Sequence, residues 1–235
     1  MIILKNNIKN IYNGKSFSVL GDSISALQGY IPSENNVFYD AEKCSKAGIS
    51  SHRDMWWGRV IDYFEGKLVV NNSWSGSMVA KMPDREELYY SGCSDERAGG
   101  LHKENEMPDI IIVFLGANDW CQGVSPYFNG DIQRLLDQSF SYAYNNMLKK
   151  IRKNYPLSEI WCCTLCVPDT ENFNIAPMGV HIKEYCDIIK DVAVKNSAKV
   201  IDFYSGSVRY DTIDGFHPSA KGMKFLADVL IEEVS

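Results

Sequence analysis

Asp109-Ile110-Ile111-Ile112-Val113-Phe114-Leu115, followed directly by Gly116-Ala117-Asn118-Asp119, decides the architecture. A strand wet on one face alternates apolar and polar residues, and Ile110 to Leu115 does not alternate. An unbroken apolar run of this length is the habit of a central parallel strand covered on both faces. Outward from it, Phe17-Ser18-Val19-Leu20 ends at Gly21, and Lys67-Leu68-Val69-Val70 is closed by Asn71-Asn72. Residues 159–165 and 199–203 read as two further strands. Helical periodicity lies between them: Phe140, Tyr144, Met147, Leu148 and Ile151 share one face, as do Ile182, Tyr185, Ile188, Ile189 and Val192. Met223, Leu226, Ala227, Leu230 and Val234 mark a last helix, with Pro218 expected in its first turn. Alternating strands and helices predict an α/β chain, a three-layer α/β/α sandwich around a flavodoxin-like, doubly wound five-stranded parallel sheet.

The 235 residues suit one domain over 1–235, with loop insertions near 29–51 and 84–102. A net charge of −6 argues against a nucleic-acid partner, because phosphate binding needs clustered Lys and Arg. Met1-Ile2-Ile3-Leu4-Lys5 is too short an apolar start for a secretory signal, and no run approaches a membrane span. A soluble, cytoplasmic protein without a membrane partner is therefore expected. The seven cysteines are odd in number and do not suggest a disulfide framework.

In doubly wound sheets, ligands sit beyond the carboxyl ends of the strands. Four segments lead there: Gly21-Asp22-Ser23, Ser73-Trp74-Ser75-Gly76-Ser77, Gly116-Ala117-Asn118-Asp119 and Asp214-Gly215-Phe216-His217-Pro218. Together they could supply a hydrolase site. A serine hydroxyl needs a base within hydrogen-bond reach, and His217 could be that base. Asp214, three residues earlier, is placed to hold the imidazole in one tautomer. The Ser23 and Gly76 backbone N–H groups and the Asn118 amide would make three donors for an oxyanion hole.

These four segments, in this order, resemble the SGNH or GDSL hydrolases. Ser23 matches the family's nucleophile, Gly76 its second-block glycine, Asn118 the asparagine of its Gly-x-Asn-Asp block, and His217 its base. Asp214 matches the aspartate three before that histidine. The resemblance implies a flavodoxin-like fold, no cofactor, no metal, and an activity among esterases, lipases, thioesterases and carbohydrate deacetylases. A small-molecule ester is the implied partner, with a short acyl group on a carbohydrate or other polar alcohol favoured. A lipase, lysophospholipase or thioesterase of the same fold is the alternative. A non-catalytic carbohydrate- or flavin-binding module is the alternative of another class.

Asp22 is expected to order its turn, and Asp119 to support the asparagine from behind. His52, His102 and His181 read as surface or structural residues. Cys162, Cys163 and Cys166 read as strand packing rather than a metal cluster, since a strand sends neighbouring side chains to opposite faces. Trp74, Trp120 and Tyr127 are candidate substrate-binding residues, with Phe38, Tyr39 and Phe128 nearby, although loop packing would use the same side chains. Arg85 and Arg97 lie in the second insertion; Arg97 could meet an anionic substrate, but a surface position is the favoured expectation.

Overall fold

In a computed structural model the chain is described over residues 11–82, 91–128, 137–167, 179–205 and 209–235. Arg85, the N-terminal pentapeptide and the first part of the 84–102 insertion lie outside these residues. β3 (Ile110–Phe114) is buried at every position. It lies between β1 (Ser16–Gly21) and β4 (Glu159–Cys163), with β2 (Lys67–Asn71) and β5 (Lys199–Ile201) at the edges. All four pairings are parallel, in the order β2-β1-β3-β4-β5. That is the flavodoxin-like order, whose switch point lies between β1 and β3.

Successive strand residues feed two cores. Phe17, Val19, Ile110, Ile112, Phe114, Trp161 and Cys163 face α2 (Trp56–Tyr63) and α7 (Ala220–Val234). Leu20, Ile111, Val113, Ile160 and Cys162 face α3 (Asp95–Gly99), α5 (Phe140–Asn154) and α6 (Ile182–Lys195). Each large apolar side chain buried in this way contributes roughly 1.5–3 kcal/mol. Neighbouring Cys162 and Cys163 thus pack on opposite faces, and burial pushes the Cys162 and Cys166 thiols up to about 12.

Several boundaries differ from expectation for local reasons. β5 stops at Ile201 because the Asp202 carboxylate accepts the Tyr204 and Ser205 N–H groups and the Thr164 hydroxyl, which turns the chain out of the ladder. The 29–51 insertion is partly helical: α1 (Ala41–Ala47) is capped by Asp40, which accepts the Lys43 N–H at 2.8 Å. His52 opens a separate 3₁₀ turn (His52–Asp54) before α2. α4 (Ala117–Gln122) follows β3.

Pro218 is not in the first turn of α7. Ser219 is the N-cap, its hydroxyl accepting from the Lys221 and Gly222 N–H groups, so the helix begins at Ala220. Pro218 belongs instead to the preceding loop, bridged to Thr212, while the Ile213 N–H bonds the His217 carbonyl at 2.9 Å. Gly222 lets α7 lie directly against this loop, since a Cβ there would stand 2.2 Å from the Asp211 carbonyl oxygen. Gly222→Ala is therefore expected to lower stability by about 1–3 kcal/mol. Urea unfolding should show a lower midpoint at constant slope; an unchanged midpoint would mean that helix and loop separate freely.

Candidate active site

β1 ends at Gly21, where a Cβ would sit 2.7 Å from both the Ser25 and Ser73 hydroxyls. Glycine here lets the chain fold back at once. The Asp22 carboxylate accepts the Ile24 N–H at 3.0 Å, and the Ser25 N–H bonds the Asp22 carbonyl at 3.1 Å. Ser23 therefore stands in a tight turn at the strand end.

The loop before α7 carries His217 to that turn. Its Nε2 lies 2.9 Å from Ser23 Oγ, and its Nδ1 lies 2.7 Å from Asp214 Oδ2. The other Asp214 oxygen accepts the His217 and Phe216 N–H groups at 2.7 and 3.0 Å. With a proton on Nδ1 donated to Asp214, Nε2 is left to accept from the serine hydroxyl. Burial alone would raise the Asp214 carboxyl, but the hydrogen bonds from His217 and Phe216 outweigh it and hold the group below its ordinary value. Burial lowers the His217 imidazole, partly offset by Asp214 and reinforced by the Lys43 charge. A neutral imidazole at neutral pH follows, as a proton acceptor requires.

Gly76 occupies the third position of a turn in which the Ser77 N–H bonds the Trp74 carbonyl at 3.0 Å. Its φ of +81° is the conformation a type II turn demands there. Asn118 stands in the first turn of α4 and donates its amide to the Ser77 carbonyl at 2.9 Å. That bond orients the amide and uses only one of its two hydrogens. Asp119 is fully buried behind it and accepts the Val79 and Ala80 N–H groups at 2.8 and 2.9 Å. Burial pushes its carboxyl up to about 7, against those two bonds.

Arg97 is not at the surface. It is 2% exposed, and its guanidinium donates to Ser77 Oγ at 2.8 Å, the Asn72 carbonyl at 2.9 Å and the Gly21 carbonyl at 3.1 Å. It also lies 5.9 Å from the centre of the Trp74 ring. Burial pushes the nearby Asp22 carboxyl up to about 7 and pulls Arg97 down to about 9, each opposed by the charge of the other. The short helix α3 aims the side chain. Ser94 caps it through the Arg97 N–H, and the Tyr155 hydroxyl bonds the Gly99 carbonyl and accepts the Leu101 N–H. The sequence offers one weak sign of this: Arg97 is followed by Ala98, Gly99, Gly100 and Leu101, a poor setting for a solvated face.

The three aromatic candidates do not form one platform. Trp120 is 2% exposed and its indole donates to the Val180 carbonyl, so it belongs to the core. Trp74 is buried beside Arg97. Tyr127 is 50% exposed, near the carboxylates of Glu184, Asp187 and Asp191. Phe38, from the first insertion, is the ring stacked on His217. The remaining histidines serve local structure. His52 stacks on Tyr30, His102 bonds the Tyr155 hydroxyl, and His181 caps α6 by accepting the Lys183 N–H. Among the described residues no group of His, Cys, Asp and Glu is arranged to hold a metal ion, and no helix is long and apolar enough to cross a membrane.

Known proteins resemble this chain in sequence and in fold. A multidomain esterase from Ruminococcus flavefaciens is 26% identical over 167 residues, covering 68% of this chain; the chain spans only 20% of that protein's length. A structure carrying the name GDSL-like lipase, from Bacteroides ovatus ATCC 8483, superposes with a TM-score of 0.72 at 23% identity, covering 93% of this chain and 96% of the other. Est24, a carbohydrate acetylesterase from Sinorhizobium meliloti, gives a TM-score of 0.62 at 17% identity, covering 94% and 98%. At these identities the two structures speak for the fold alone. The family itself is shown by the chain: residues 15–234 match the profile of the GDSL-like lipases and acylhydrolases, and the chain belongs to that family of ester hydrolases.

Proposed function

We propose that the chain is a serine esterase working by acyl transfer through Ser23. The observation that carries this reading is the hydrogen-bonded line Ser23–His217–Asp214, with separations of 2.9 and 2.7 Å. The Ser23 oxygen attacks the ester carbonyl while its proton passes to His217 Nε2. Asp214 stabilises the resulting imidazolium and keeps its tautomer. The tetrahedral oxyanion rests on the Ser23 and Gly76 N–H groups and the second amide hydrogen of Asn118. Collapse breaks the ester C–O bond, and the leaving alcohol takes the proton from His217. Water then attacks the acyl-serine, His217 again accepting the proton and returning it to Ser23.

The favoured substrate is a short acyl group on a carbohydrate or similar polar alcohol. Est24, which has the same fold, is a carbohydrate acetylesterase. Among the described residues the rings set against His217 are Phe38 and Phe216, and Trp120, a candidate for a wider apolar platform, is committed to the core.

Ser23→Ala is expected to abolish hydrolysis of a p-nitrophenyl acetate ester and labelling by a fluorophosphonate, while circular dichroism stays unchanged. Labelling of the variant at the wild-type rate would remove Ser23 from the chemistry. Asn118→Ala should lower kcat by on the order of 10²–10³ with a smaller change in KM. Loss in KM alone would make Asn118 a binding residue. Across acetyl, octanoyl and palmitoyl esters, kcat/KM should fall with chain length; preference for palmitoyl would indicate a lipase.

A further inference from the structure

His217 is carried by a loop, and its two in-plane hydrogen bonds fix the imidazole only while the ring keeps its plane. A second contact addresses that plane. The Phe38 ring lies over the imidazole with centroids 3.4 Å apart and 15° between planes. Phe216 meets the imidazole edge-on at 5.2 Å. Lys43 Nζ, from α1, is 5.7 Å from the centre of the Phe38 ring.

Phe38 is itself held from three directions. The Phe38 and Tyr39 N–H groups bond the Ala26 carbonyl, just beyond the Ser23 turn, at 3.4 and 3.0 Å. The buried Tyr39 hydroxyl donates to the Pro218 carbonyl at 2.7 Å, next to His217 itself. The Asn35 amide bonds the Asn72 side chain and the Ser73 carbonyl, and the Asn36 carbonyl accepts the Ser75 N–H at 2.8 Å, next to Gly76. One short segment, residues 35–39, thus ties the serine turn, the glycine turn and the histidine loop together.

We propose that Phe38 is a positioning residue for His217: its ring fixes the plane in which the imidazole meets both Ser23 and Asp214. The proposal rests on the esterase reading of Ser23 and His217. Two physical effects follow from the stack. It removes one imidazole face from water, which holds the base neutral. When the imidazolium forms, the electron-rich face of Phe38 lies against the new charge and offsets part of that desolvation, which remains the larger effect. Among the described residues the charged groups acting on His217 are Asp214 on its own loop and Lys43 on α1, and the Ser23 hydroxyl on the opposite turn is its hydrogen-bond partner.

The test compares Phe38→Leu, Phe38→Ala and Phe38→Tyr in the whole chain. A geometric role predicts that Phe38→Leu, which keeps apolar volume, loses about tenfold in kcat with KM within about twofold. Phe38→Tyr, which keeps the planar face, should recover most of that loss. In Phe38→Ala the acid limb of kcat/KM should move to higher pH, because water returns to the imidazole face. NMR of the His217 Cε1–H, assigned with His217→Gln, gives a readout that needs no turnover. Its resonance should move downfield when the Phe38 ring is removed, and stay near the wild-type position in Phe38→Tyr. Unchanged kcat in Phe38→Leu, or a rise in KM alone, would overturn the proposal, the second in favour of a substrate platform. An unmoved Cε1–H resonance in Phe38→Leu would overturn it too. Absence of turnover in the wild type counts against the esterase reading instead, since the resonance reports the stack with or without activity.

Discussion

Arg97 is almost wholly buried, so the chain around it has to meet its charge. An unpaired guanidinium would cost several kcal/mol to bury. Hydrogen bonds to Gly21, Asn72 and Ser77 and the nearby Asp22 carboxyl answer that cost. Each partner belongs to a segment that ends at the rim of the sheet. Gly21 closes β1 before Ser23, Asn72 follows β2, and Ser77 receives the Asn118 amide and lies beside Gly76. Satisfying one buried cation therefore sets the spacing of three catalytic candidates that are far apart in sequence. Desolvation is what makes the constraint strict. An exposed arginine could trade any of these carbonyls for water at little loss, and a buried one cannot.

Asp119 repeats the same logic one layer deeper. Its carboxyl is spent on two backbone N–H groups, Val79 and Ala80, which pins the chain just after Gly76 to the base of α4. Asn118 precedes it on that helix, so the residue that holds the glycine turn and the residue that reaches over it share one rigid turn. The motif Gly-x-Asn-Asp is in this sense a mechanical unit. The glycine ends the strand, the asparagine reaches the site, and the aspartate ties both to the neighbouring loop.

How far the sequence could be read follows from whether a feature is local. β3 was legible because burial on both faces writes itself as an unbroken apolar run. The parallel sheet was legible because strands alternate with helices. Ser23, Asn118, Asp214 and His217 sit within a few residues of the strand ends or helix start that position them, so short motifs expose them. Arg97 is positioned by contacts to residues 21, 72 and 77, and no local pattern records such a set. Phe38 was visible only as one of the aromatics near the site; its stacking on His217 was not, because that partner lies far along the chain. Trp120 misled because it stands next to a site motif in sequence, while its helix turns it into the core. Pro218 misled because its fixed φ suits a first helical turn, yet Ser219 caps better and the helix starts after it.

The two halves of the site are held differently, and the proposed chemistry asks for that difference. Oxyanion donors stabilise charge only insofar as they need no reorganisation when it appears, which favours backbone and amide groups set in a dry, rigid frame. Ser23, Gly76 and Asn118 have that frame through Arg97 and Asp119. The base has another requirement. It must take a proton from Ser23, give it to a leaving group and take another from water, so solvent and substrate must reach it. Asp214 and His217 accordingly stand on a half-exposed loop, outside the buried charge network. A loop alone would leave the imidazole free to turn, and the frame cannot be extended over it without closing off the water. Fixing the loop at its ends and covering one ring face resolves the conflict. Ser219 and Gly222 anchor the loop to α7, Tyr39 holds it at Pro218, and Phe38 occupies one face of the ring, leaving its edges to the reaction.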